Sequence, residues 1–147
     1  MRSTAKRSNC PISRTLDLFG DRWTLLILRD IAFKGYNFYN EFLGSDEKIA
    51  TNILADRLKM LEEKKIIVSR TVESKKYNRL KKRKEYKLTA SGIGMVPVIM
   101  EMLVWGHGFD PSTMVVPEFF ERYKTDRDGL LKEVMESLEH DLHKNFC

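Results

Sequence analysis

The densest chemistry in the sequence is a run of positive charge. Nine of the eighteen residues from Arg70 to Lys87 are basic: Arg70, Lys75, Lys76, Arg79, Lys81, Lys82, Arg83, Lys84 and Lys87. Only Glu73 and Glu85 oppose them. Cations this crowded repel one another unless an anion relieves them, and a phosphate backbone is such an anion. A solvated loop is the plainer reading, and the density favours DNA contact over it. A second group, Thr51, Asn52, Ala55, Asp56 and Lys59, shares one face at helical spacing, and Arg57 joins it as a candidate on the same helix. Asn can bond adenine through two hydrogen bonds, and Thr can bond a base edge or touch a thymine methyl. Arg57 and Lys59 suit phosphates, which position a protein without reading sequence. The third feature is Cys10, just before a proline-led helix start and close in sequence to Arg7 and Arg14. Cations and a helix N-terminus favour a reactive thiolate. Cys10 is therefore a candidate redox sensor, and an inert, partly buried cysteine is the competing reading.

Other chemistries find little support. His140 and His143 stand at i, i+3 with no third ligand in sight, and there is no CxxC, so no metal site is expected. Cys10 has no histidine or carboxylate constellation around it, and no glycine-rich nucleotide fingerprint occurs. No catalytic residue and no cofactor are expected. Cys10 and Cys147 sit near opposite ends and make no disulfide framework, which fits a reduced, cytoplasmic protein. The first nine residues are basic and polar, unlike a signal peptide, and no apolar run approaches a membrane span.

The elements that must position these groups follow from periodicity and charge. The chain has 147 residues, is 42% apolar and carries a net charge of +5. Residues 118–147 hold eight acidic and five basic side chains, so the positive charge belongs to the preceding part. Three segments are expected: a flexible basic arm over 1–9, a DNA-binding domain over 10–110, and a helical extension over 111–147. A first helix covers 11–20, with Pro11 in its first turn and Ile12, Leu16 and Phe19 on one stripe. Asp21 caps a second, central helix through Trp23, Ile27 and Ile31. A short third helix runs from Phe38 to Leu43, and a fourth from Ala50 or Thr51 to about Glu62.

The period then changes to two. Ile66 to Val72 and Lys84 to Leu88 read as paired strands, joined by a long polar loop over Glu73 to Arg83. A fifth helix starts at the cap Thr89, is disturbed near Pro97, and ends at Gly106 and Gly108. A last helix from about Asp126 carries Leu131, Val134, Met135, Leu138 and Leu142 on one face. A lone amphipathic helix of this length is marginal in water, so it needs its own domain or a second copy of the chain as partner. A dimer helix is the simplest assignment. Trp23, Trp105 and the phenylalanines are expected in the core.

Helix pair, tight turn and basic hairpin describe a mainly α protein with a small β wing, a winged helix-turn-helix. The sequence resembles the HxlR family of such regulators. The stretches that carry the likeness are Asn9–Ile12, Leu18–Asp30, Phe38–Leu43, Leu54–Glu62, Glu85–Gly92, Pro97–Ile99 and Trp105–Gly106, in register over about residues 9–108. The resemblance implies a homodimer, paired through N- and C-terminal helices, on an inverted-repeat operator in double-stranded DNA. It also implies repression or activation of nearby genes, and a cysteine at the position of Cys10 that senses electrophiles or oxidants in some members. Two features depart from the family pattern: the wing lacks its usual prolines, and the tail after Pro111 is longer. The alternative function is a winged helix used for protein–protein contact, against which the basic wing argues.

Overall fold

The computed structural model describes residues 7–76 and 79–146. Residues 1–6 of the expected arm and Cys147 lie outside that range, as does the side chain of Lys76. The element order is α1 (Pro11–Phe19), α2 (Thr24–Phe33), α3 (Tyr39–Leu43), α4 (Thr51–Glu63), β1 (Ile67–Lys76), β2 (Arg79–Leu88), α5 (Ala90–Ile93), α6 (Val96–Phe109) and α7 (Pro117–Phe146).

Local chemistry explains most boundaries. Asp21 Oδ1 accepts hydrogen bonds from Trp23 N at 2.8 Å and Thr24 N at 3.0 Å, satisfying free donors at the start of α2. Glu41 reaches back to accept from Asn37 N and Phe38 N, which closes the start of α3. Lys65 adopts φ +57° just past α4 and turns the chain into β1. Thr89 Oγ1 donates to Ile66 O and accepts from Gly92 N, so one hydroxyl ties the start of α5 to the entry of β1. A Cβ at Gly92 would lie 2.3 Å from Ile66 O, so only glycine permits this approach.

The core forms where α2, α4, the base of the hairpin and α5–α6 meet. Leu28, Leu54, Leu58, Leu61, Ile67, Leu88, Ile93, Val96 and Met100 are buried there, with Phe42 packed edge-on against Tyr86.

Five expectations change. The hairpin has no long loop: β1 and β2 pair antiparallel from Ile67↔Leu88 out to Lys76↔Arg79, leaving only two residues between the strands. Backbone pairing continues through a polar ribbon because ladder hydrogen bonds do not require a buried face. The fifth helix is two helices, broken at Gly94 and Met95, with Pro97 in the first turn of α6. Gly106 and Gly108 lie inside α6 and do not end it. Against the expectation of no long apolar run, Ala90–Phe109 has the length and composition of a membrane span, although in this fold it is broken and partly built into the core.

The last helix also begins earlier than expected, at Pro117, with a kink at Asp126. Its apolar face packs on its own chain: Leu130 is buried, and Leu131, Val134, Met135, Leu138 and Leu142 contact the core. Phe119 meets Phe33 edge-on, and Arg127 and Tyr123 bond Glu101 of α6. Of the two partners open to this face, its own domain covers it.

Candidate nucleic-acid interface

The turn between α3 and α4 sets the geometry of the first candidate surface. Ile49 is buried in the turn, and Tyr39 Oη donates to Thr51 O at 3.0 Å, holding the start of α4 against α3. Leu54, Leu58 and Leu61 turn inward. Thr51, Asn52, Ala55, Asp56 and Lys59 are consequently exposed on the opposite side, as the spacing predicts.

Arg57 stands apart from them. Its Nε donates to Asp21 Oδ1 at 3.1 Å, and its Nη1 bonds Asp56 Oδ2. Asp21 also accepts from Thr24 Oγ1 at 2.5 Å. Burial pushes the Asp21 carboxyl up, but hydrogen bonds from Thr24, Trp23 and Arg57 outweigh it and hold the group below its ordinary value. Arg57 thus ties the outer helix to the cap of α2. A second brace escaped the sequence reading. Arg29 holds Glu47 at 2.6 Å and the buried Asp30 at 2.6 Å, fastening the α3–α4 turn to α2. The bond from Arg29 lowers the Glu47 carboxyl to about 2, while burial raises that of Asp30. The signal available in sequence was Asp30 itself, a carboxylate within an apolar helix.

The ribbon of β1 and β2 divides its cations into two sets. From the base out to Lys82 they are engaged. Arg70 Nε donates to Glu85 at 2.6 Å, Lys87 lies 4.0 Å from the same carboxylate, Lys84 lies 3.6 Å from Glu62, and Lys82 lies 3.7 Å from Glu73. The Arg83 guanidinium sits 4.0 Å over the Phe38 ring. Farther out, Lys75, Arg79 and Lys81 are exposed and have no acidic partner among the described residues.

A third surface is apolar. Val98, Met102, Trp105 and Phe109 form one stripe along α6 and are 45%, 52%, 70% and 77% exposed. The expectation that Trp105 is core fails: its ring stacks on Phe109 in the open, centroids 5.1 Å apart. Ile12 and Leu16 on α1 are exposed as well.

A family profile described as HxlR-like helix-turn-helix matches residues 18–114, which spans all these surfaces except most of α1. The chain belongs to the HxlR-like helix-turn-helix family. Among relatives, the HTH-type transcriptional regulator sll1512 of Synechocystis sp. is 37% identical over 93 residues, covering 63% of this chain and 64% of that protein. The crystal structure of PA1607, assigned as a transcription factor, superposes with a TM-score of 0.64 at 35% identity, over 78% of this chain and 76% of that one. The redox regulator HypR in its oxidised form superposes with a TM-score of 0.57 at 27% identity, over 73% of this chain and all of that one. The fold is accordingly a winged helix-turn-helix, with α3 and α4 as the helix pair and the β1–β2 ribbon as the wing.

In this HxlR-like chain Cys10 is exposed and free, and occupies the cap position of α1. Its backbone N donates to Ser8 Oγ at 3.2 Å. The two neighbouring guanidiniums turn elsewhere: Arg7 and Arg14 lie 3.5 Å and 3.7 Å from Asp17. The thiol is exposed where the competing reading has it partly buried. His140 and His143 are exposed on α7.

Proposed function

We propose that the chain is a sequence-specific regulator that binds double-stranded DNA as a homodimer on an inverted-repeat operator. The observation that carries this reading is the placement of exposed Thr51 and Asn52 at the start of a braced α4, beside a wing whose outer cations Lys75, Arg79 and Lys81 have no acidic partner among the described residues. Such a helix start suits the major groove, and such a wing suits flanking phosphates. The apolar stripe of α6, together with Ile12 and Leu16 of α1, supplies the dimer face, because exposed apolar side chains in such number mark an interaction surface. In that dimer, two copies of α4 would enter successive major grooves about 34 Å apart. α7 takes part through its contacts with α6. Lys59 and the outer wing cations Lys75, Arg79 and Lys81 would meet phosphates, with Lys82, Arg83 and Lys84 closer to the body of the domain. The exposed thiol of Cys10, at the start of a dimer helix, would report oxidants by altering that interface. The reading places the protein in the cytoplasm with its DNA.

Fluorescence anisotropy against the DNA upstream of the protein's own gene, with a scrambled control, tests this at two salt concentrations. Operator DNA should bind at least a hundredfold more tightly than the control, with a steep salt dependence. Equal, weak binding to both would overturn sequence specificity, and no binding would leave the protein-contact module as the function. Light scattering should give twice the chain mass of 17.2 kDa, and Trp105→Glu should return the monomer. A thiol oxidant should change operator affinity in the native chain and not in Cys10→Ser.

A further inference from the structure

Apart from the interfaces above, the chain contains a cavity of about 170 Å³ where three elements meet. Ile31 and Ala32 at the end of α2, Leu88 of β2 and Leu138 of α7 supply its apolar lining. Asn37, Lys87, Ser137 and Asp141 supply polar groups from the other sides. The volume is close to that of an apolar protein cavity of about 150 Å³ that takes up benzene, so the occupant must be small.

The charge pattern narrows its chemistry. The Lys87 side chain is only 12% exposed, and its Nζ lies 4.0 Å from its acidic partner, Glu85 Oε1. Glu85 is already engaged by Arg70 at 2.6 Å through its other oxygen. An ammonium so far withdrawn from water, with so distant a partner, favours an added anionic group. Asn37 is fixed beside it: its backbone O accepts from Tyr86 N at 2.8 Å, and its side-chain amide donates to Gly35 O at 2.8 Å. From α7, Asp141 and Ser137 bring a carboxylate and a hydroxyl to the same lining. A cation on one wall, a carboxylate on another and an aliphatic lining match one class of molecule.

We propose that this cavity is an effector site for a small aliphatic zwitterion, an α-amino acid of about the size of leucine. Its carboxylate would meet Lys87 and Asn37, its ammonium would meet Asp141 and Ser137, and its side chain would lie on Ile31, Leu88 and Leu138. The site joins α7 to the base of the wing and to α2, so occupancy fastens the tail to the DNA-facing parts. Its regulatory consequence rests on the reading of the chain as a DNA-binding regulator; ligand binding itself does not.

Calorimetry on the full chain with L-leucine, 4-methylpentanoate and 3-methylbutylamine separates the charges, since each analogue lacks one of them. L-leucine should bind with a Kd of roughly 1 mM or tighter, and both analogues at least tenfold more weakly. Lys87→Met and Asp141→Asn should each weaken leucine at least tenfold. Ser137→Trp, at an exposed position on the rim, should block it while leaving the thermal midpoint within a few degrees of the parent. No heat with 10 mM leucine, or binding equal in the parent and in a folded Ser137→Trp, would overturn the site. Equal binding of 4-methylpentanoate would overturn the zwitterion assignment. Operator affinity measured with and without saturating leucine then tests the effector role separately: a change of at least threefold is expected, and an unchanged affinity would overturn that role.

Discussion

The inner seven residue pairs of the wing and the outer three belong to one ribbon, yet their cations live differently. Within the inner pairs, out to Glu73↔Lys82, Arg70, Lys82, Lys84 and Lys87 stand near carboxylates, and Arg83 covers the Phe38 ring. In the outer pairs Lys75, Arg79 and Lys81 are exposed without an acidic partner among the described residues. Counting basic residues therefore overstates what is available to a polyanion. A cation already engaged must give up its partner to reach a phosphate, and the gain is the difference between the two interactions. Arg57 extends the lesson to α4. By type and position it suits a phosphate, and in the fold it spans Asp21 and Asp56.

The sharpest way to break this comparison is to strip each set in turn. Lys75→Ala, Arg79→Ala and Lys81→Ala together should lower affinity for operator and scrambled DNA alike, by roughly a hundredfold at 0.1 M salt. The slope of log affinity against log salt should flatten by about 2.7 per wing, since each phosphate contact contributes about 0.9. The thermal midpoint should stay within a degree or two, because these side chains support nothing else. A salt slope unchanged by this triple substitution would show that the outer ribbon does not meet DNA.

Lys82→Ala, Arg83→Ala and Lys84→Ala should give the reverse balance. Their ion pairs are exposed and each contributes roughly 0–1 kcal/mol, with a similar amount from Arg83 over Phe38. The expected result is a lower thermal midpoint and a smaller change in salt slope than for the outer set. Equal slopes for the two sets would mean that the inner cations exchange their partners for DNA, and the distinction between the sets would fall.

How far the molecule could be read from its sequence follows the same division between pattern and partner. Helix positions were legible because the apolar spacing is dense, and the caps Asp21 and Thr89 were legible because their side chains do local work. The outer wing was not. Glu73 to Lys75 and Arg79 to Arg83 have no buried side chain, so no apolar alternation marks them as strand. Gly106 and Gly108 read as stops, yet α6 runs through both to Phe109, with nothing within 4 Å of an added Cβ at either. The apolar faces of α6 and α7 look alike in sequence, but Trp105 stands in the open while Leu130 is buried. Periodicity says that a face needs covering and is silent on what covers it. In the candidate interface, the exposure of Thr51 and Asn52 was legible from spacing. The engagement of Arg57 was not, because Asp21 lies thirty-six positions away.

Arg57→Ala measures that hidden brace. Asp21 would lose one bond to a charged donor, which is worth about 1.5–3 kcal/mol when buried and less here because the pair is partly exposed. Stability by urea unfolding should fall by roughly 1 kcal/mol. DNA affinity should fall through misplacement of α4 with no change in salt slope, whereas a phosphate ligand would lower the slope by about 0.9. Arg57→Lys separates the two roles further, since a lysine keeps the charge and loses the planar donor geometry.

The smallest effect expected is on the turn that precedes α4, where Glu47 is held by Arg29. Its carboxyl is lowered to about 2 in the fold from an ordinary 4.5. A group depressed on folding stabilises the native state above its unfolded value and loses that contribution as pH falls through the folded one. The contribution of Glu47 is therefore present at neutral pH and lost progressively between about pH 4.5 and pH 2. The carboxylate is partly exposed, so solvent screening reduces the effect well below the value the shift alone suggests. Glu47→Gln should lower the thermal midpoint by a degree or two at pH 7, and the difference from the parent should vanish as the pH approaches 2. A difference that persists at pH 2 would assign the loss to packing of the turn, and the Arg29 ion pair would then be a passive neighbour of α4 where Arg57 is an active one.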